Sequence, residues 1–272
     1  MGMEQTKRTP GLSASYLKIV AMVLMCVDHL ALLTLSSLAG IWLAGGLPGE
    51  EVWMAAYFAM RGAGRLAFPL FAFFIAEGFR HTRSAGRYAA RLAVFALLAE
   101  VPFDLAIAGR PFAPEGQNVL FTLLLGLLAL VWLKAWGGRP LFGLTGVLLC
   151  LGAAQAMHAD YGGLGAAFIP LFWMLPNRPG LRFGGGALLF LGLGLQNFVQ
   201  GGGAAGLAAE PAAALGAVSC LLPLAGLLAF PLIRAYNGER GRRLPRYLFY
   251  AFYPAQFLVF WLLSLAIERL GG

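Results

Sequence analysis

The chain has 272 residues, of which 60% are apolar and only 12% charged, against about 25% charged in a soluble domain. That balance cannot cover a water-facing surface, so lipid is the expected solvent for much of the exterior. The net charge of +8 sits in short loops between apolar runs, with no basic face interleaved with aromatics, which argues against nucleic acid as a partner.

Apolar runs bounded by charge, Gly or Pro predict an all-α, polytopic transmembrane helix bundle of about nine spans, a single integral membrane domain over residues 1–272. In chain order the expected spans are Tyr16–Ala44, Arg65–Phe79, Tyr88–Ala108, Val119–Trp136, Leu141–Met157, Tyr161–Leu175, Phe183–Val199, Ala212–Ile233 and Tyr247–Ile267. The stretch Val52–Met60 is apolar but too short to span, and reads as an amphipathic or re-entrant piece. The start resembles a signal peptide, with Lys7 and Arg8 before an apolar run. An Asp-His pair interrupts that run and it is too long, so an uncleaved first span is expected.

Charge alternation gives an independent test. With the N-terminus cytoplasmic, the inner loops hold Lys7, Arg8, Arg80, Arg83, Arg87, Arg91, Lys134, Arg139, Arg178, Arg182, Arg234, Arg240, Arg242, Arg243 and Arg246. These are 15 of the 20 basic residues, as the positive-inside rule requires. A multi-pass protein of a bacterial-type inner (plasma) membrane is expected. The glycine-rich stretches around Gly184–Gly186, Gly192–Gly194 and Gly201–Gly203 read as close helix packing. Cys26, Cys150 and Cys220 lie inside apolar runs with no Cys or His at metal-ligand spacing, so no metal is expected.

Charges at membrane depth cost about 2.5–3.5 kcal/mol each, so every one asks for a reason. Asp28-His29 lies roughly 17 Å into the first span. Adjacent helical residues point about 100° apart, so the two side chains face a shared cavity rather than each other. There a neutral imidazole can take a proton from a substrate nucleophile while a carboxylate balances the charge. Glu77 has Arg80 at i,i+3 and His81 at i,i+4, so a local ion pair competes with a functional role. Arg65, at the outer end of its span, can neutralise Asp28 or Glu100. Glu100 and Asp104, at i,i+4, should repel, which demands a cation or a raised pKa. Asn118 opens the fourth span as an N-cap or a cavity-lining amide, and His158-Ala-Asp160-Tyr-Gly-Gly reads as a plain turn. Arg80, His81, Arg83, Arg87 and Arg91 make the second inner loop unusually basic. Topology alone predicts this; an anion-binding mouth for a phosphorylated cytosolic ligand is the sharper reading.

Several ordered segments carry a family resemblance: Lys18–His29, Gly64–Arg83, Tyr88–Leu92, Glu100–Asp104, Asn118–Leu123 and, more loosely, Asp160–Gly162. Together they resemble the TraX family of membrane proteins, named for conjugative pilin acetylation. The likeness is dense over residues 18–126 and weak beyond about 165. It implies a membrane acyltransferase that uses cytosolic acetyl-CoA, with no metal, to acetylate an amine or hydroxyl acceptor, the pilin N-terminus in the family. On that reading His29 is the general base and Asp28 its charge partner. Arg65, Glu77, Glu100 and Asn118 line the cavity, and the acyl-CoA phosphates meet Arg80, His81, Arg83, Arg87 and Arg91. Two other classes stay open: a proton-coupled small-solute transporter using Asp28, Glu77 and Glu100, which broken helices would favour, and a non-catalytic membrane subunit.

Overall fold

Helix boundaries in the chain follow local chemistry. A computed structural model describes residues 10–38, 41, 49–200, 220–245 and 247–271. Helix α1 (Ala14–His29) opens on Ser13, whose hydroxyl accepts from the Tyr16 backbone N–H, and runs into a π-helical segment, Leu30–Leu35. Helix α2 (Glu50–Gly64) is followed across a two-residue turn by α3 (Ala67–His81). Helix α4 (Ala85–Ala108) is capped by Ser84 and closed by Gly109 at φ 68°, the left-handed position glycine fills without strain. The chain continues through α5 (Val119–Ala135), α6 (Pro140–Ala156), α7 (Gly162–Met174) and α8 (Pro179–Gln200). A 3-10 segment (Leu222–Leu228), the short α9 (Ala229–Arg234) and α10 (Leu248–Gly271) complete the described residues.

The structure is helical, and three stretches are long and apolar enough to cross a membrane: Ala14–Leu38, Glu51–His81 and Leu248–Arg269. Helices α5, α6 and α7 and the stretch Leu222–Arg234 are apolar but shorter. At 1.5 Å per residue, 13-residue α7 reaches only about 20 Å, less than a hydrocarbon core of about 30 Å. Some of the expected spans are therefore too short, as straight helices, to reach across such a core. Of the expected eighth span, residues 212–219 lie outside the described residues, as do Lys7, Arg8, Gly201–Gly203, Arg246 and most of 39–44.

One boundary differs from the sequence reading. Val52–Met60 is not a short separate piece: it belongs to α2, which with α3 forms a stretch of 31 residues broken only at Arg65-Leu66. Arg61, which falls between the first two expected spans, is thereby inside a helix.

Helix α3 is buried almost all round, from Ala67 through Ala76, and packs between α1 and α7. The central layer is aromatic: Phe168, Phe172 and Phe190 are fully buried, with Phe73 edge-on to Phe172 at 5.7 Å. Helices α6 and α8 instead expose Leu141, Leu148, Leu149, Leu188 and Leu195. An apolar interior under an equally apolar exterior is what a lipid-facing helical protein requires.

Candidate functional site: a polar cavity at the helix breaks

Where helices stop short, their backbone ends must find partners in protein rather than in lipid. The turns after α4 and α6 do so by pairing with each other. Gln117 N–H donates to His158 O at 3.1 Å, and Asp160 N–H donates to Gln117 O at 2.8 Å. The start of α5, the start of α7, the π segment of α1 and the α2–α3 break thus share one level of the bundle, and a cavity of about 320 Å³ lies among them.

Asp28, His29, Arg61, Arg65, His158, Asp160, Tyr161 and Tyr253 border it, on walls built from Phe68, Phe71, Phe103 and Phe257. Asp28 is buried, and its Oδ1 sits 2.7 Å from Arg61 Nη1 and 3.8 Å from Arg65 Nη2. Gly64 makes that approach feasible, because a β-carbon there would overlap the Asp28 side chain. Arg65 Nη1 donates to the Tyr161 hydroxyl at 3.0 Å, and the Tyr161 ring stacks on Phe68 at 4.0 Å. His29 lies against the Phe257 ring at 4.4 Å and the Tyr253 ring at 6.2 Å. Hence Asp28 and His29 face different partners, as their angular separation demands.

Asp28 Oδ1 and Arg61 Nη1 satisfy each other as an ion pair without hydrogen-bond alignment. The Gln256 side chain lies beside His29, and Arg65 Nε is a buried donor with no partner among the described residues. Native proteins leave few such donors, and this one faces a cavity where a polar group can bind. Among the described residues no group of three or more His, Cys, Asp or Glu could hold a metal ion.

The other residues singled out from the sequence lie elsewhere. Glu100 accepts from the Asn118 side-chain amide at 2.8 Å and its backbone N–H at 3.1 Å. Asn118 caps α5 through Leu120 N–H. Neither residue borders the cavity, and Arg65 meets Asp28 rather than Glu100. Glu100 and Asp104 do repel, as their spacing requires, and the repulsion is offset by local donors, with Asp104 accepting from Ala113 N–H at 2.8 Å. No cation is needed there.

Glu77 belongs to a second cluster, about 18 Å along α3 from Arg65 at 1.5 Å per residue. It pairs with Arg80 at 2.9 Å and His81 at 3.1 Å. Arg80 also donates to the Phe172 and Trp173 carbonyls at 2.8 and 2.7 Å, closing the C-terminal end of α7. Burial and the Glu77 carboxylate push the nearby Tyr236 phenol up. Arg83 and Arg87 are exposed, and Arg91 lies 5.8 Å from the Tyr88 ring. None of these residues borders the cavity.

Sequence reasoning missed Arg61, Tyr253 and the role of the His158–Tyr161 turn. A signal for Arg61 did exist: it stands at i,i+4 from Arg65, so a helix continuous through residue 61 puts both guanidiniums on one side.

Comparison with known proteins gives the site its context. A probable fimbrial assembly protein FimC, serogroup H1, of Dichelobacter nodosus is 33% identical over 252 residues, covering 89% of this chain and 91% of the relative. No solved structure matches. The family model described as TraX protein matches residues 13–264, and the chain belongs to the TraX family.

Proposed function

We propose that the protein is a multi-pass plasma-membrane acetyltransferase of fimbrial or pilin assembly, with its N-terminus cytoplasmic and acetyl-CoA as the acyl donor. One observation carries this reading beyond family membership: His29 borders a cavity beside an Asp28–Arg61–Arg65 cluster in which Arg65 Nε is a buried donor without a partner. A base next to preorganised positive donors is what acyl transfer needs. A neutral acceptor nitrogen (or hydroxyl oxygen) attacks the thioester carbonyl and forms the new bond to carbon. Charge develops on the carbonyl oxygen, facing Arg61 and Arg65. His29 takes the proton from the attacking atom; the C–S bond breaks, and the proton passes to the departing sulfur. Asp28 holds the two guanidiniums in place.

A cavity of about 320 Å³ is at the small end of ligand sites. It suits an acetyl thioester and an acceptor terminus, not a nucleotide. The donor phosphates are assigned to exposed Arg83 and Arg87, with Arg91, since Arg80 is already engaged. Buried Leu70, Phe73, Phe74 and Phe79 lie between that end and the cavity, so the helices must part to admit the donor arm.

The test is direct. Purified protein in nanodiscs, given acetyl-CoA and a peptide with a pilin-like free N-terminus, is expected to add one acetyl group by mass spectrometry. His29→Ala is expected to lower the rate at least about a hundredfold, the usual weight of a general base. An unchanged rate in folded His29→Ala removes His29 from the chemistry. A second reading, a proton-coupled transporter, gains from the break at Arg65-Leu66 and the π segment beside His29. It needs Asp28, Glu77 and Glu100 in one relay, and only Asp28 borders the cavity. Proton uptake on solute addition without acetyl transfer would favour it.

A further inference from the structure

The turn between α6 and α7 is unlike the plain turn its sequence describes. His158 and Tyr161 both have positive φ, 51° and 65°, a region His visits more readily than most side chains but a bulky Tyr avoids. Such backbone persists where surrounding structure enforces it, and it clusters at binding and catalytic sites. Three restraints hold this one: the pairing with Gln117, the Arg65–Tyr161 hydrogen bond and the Tyr161–Phe68 stack. Their joint effect is to set Asp160 on the cavity wall, where it borders the cavity and stays accessible.

The two carboxylates of the cavity are in different states. Asp28 is committed to Arg61 and Arg65. Asp160 forms no ion pair among the described residues, and the Arg65 charge acts on it from beyond contact distance. Arg65 Nε, in turn, is a buried donor without a partner. A free carboxylate and a free guanidinium N–H therefore border one aromatic-walled space without touching. That arrangement fits a ligand with a cationic head and a nearby oxygen.

Resting on the acyl-transfer reading, we propose that Asp160 is the acceptor-contacting residue of the cavity and selects a primary amine, bound as its ammonium, over a hydroxyl. The acceptor nitrogen sits against Asp160, and Arg65 Nε faces the oxygen of the thioester. The surplus ammonium proton leaves to water at the exposed His158 side before attack, and the neutral amine then reacts as described above.

The experiment reads binding, so that it stands apart from turnover. Full-length protein in nanodiscs is titrated with a short apolar peptide bearing a free N-terminal amine, and with the same peptide lacking that amine. Wild type is expected to bind the amine peptide about tenfold or more tighter, the usual value of one charged hydrogen bond. Asp160→Asn is expected to lose that preference while binding the amine-free peptide as wild type does. Should Asp160→Asn not fold, Asp160→Glu keeps the charge but moves it by one methylene, and the preference is expected to fall several-fold. Equal binding of the two peptides by wild type, or an unchanged preference in the folded variant, overturns the assignment. Failure of the acyltransferase reading looks different: the preference for amine persists, and no acetyl group is transferred.

Discussion

The protein carries two clusters of ionisable residues along α3, and they are built in opposite ways. Glu77, Arg80 and His81 come from one stretch of sequence and close on themselves. Both terminal nitrogens of Arg80 meet the Glu77 carboxylate or an α7 carbonyl. The cluster at the other end of α3 draws Asp28 from α1, Arg61 from α2, Arg65 from the break and Tyr161 from the α7 turn, and it leaves the buried Arg65 Nε unpartnered beside the cavity. Charge in an apolar bundle is thus not itself a sign of function. Incomplete satisfaction around a cavity separates a site from a staple.

The largest effect that tests this contrast is expected at Arg61. Asp28 and Arg61 expose only 12% and 13% of their side chains, so Arg61→Ala leaves a carboxylate short of its main partner in a dry setting. Breaking a buried pair typically costs about 3–5 kcal/mol. The lower end applies here because Arg65 remains 3.8 Å away. Thermal unfolding in detergent reads the loss. Adding Asp28→Asn is expected to recover most of it, since the stranded charge is then gone. No recovery in the double variant would mean that Arg61 acts through packing.

Much of this was legible in the sequence, and the failures have a common cause. Helix positions from Ala85 to Met174 follow from apolar runs and their caps, Ser84 and Asn118 among them. Asp28, His29 and Arg65 stood out because charge in an apolar run is costly. The Glu77–Arg80–His81 pairing was visible as i,i+3 and i,i+4 spacing. By contrast, Arg61 was lost when a nine-residue apolar stretch was measured against membrane thickness, although α2 gains its length by joining α3. Asp160 was lost because composition cannot show that its turn pairs with the loop before α5 and borders a cavity. The repulsion of Glu100 and Asp104 was legible from their spacing, but the backbone and amide donors that offset it come from a loop that the sequence does not place. Local pairings are readable from spacing; those that depend on which helices stop short are not.

A middle-sized effect is expected at the other cluster. Arg80→Ala removes the donors that close the end of α7, leaving the Phe172 and Trp173 carbonyls and Glu77 short of partners. Lost hydrogen bonds to partly buried groups cost about 1–3 kcal/mol, so the unfolding temperature should fall, but by less than for Arg61→Ala. A larger drop at Arg80 than at Arg61 would reverse the ranking of the two clusters.

The smallest effect is expected at His81, and it bears on how closed the staple is. Its side chain is 74% exposed, and its bond to Glu77 is an i,i+4 contact at 3.1 Å. Exposed pairs of this kind contribute a few tenths of a kcal/mol. Glu77 also keeps Arg80 at 2.9 Å when the imidazole is gone. His81→Ala is therefore expected to change stability by less than about 0.5 kcal/mol, measured side by side with Arg80→Ala. A loss comparable to that of Arg80→Ala would show that Glu77 depends on both partners. The α3 end would then be a three-member network and not a guanidinium staple with a bystander histidine.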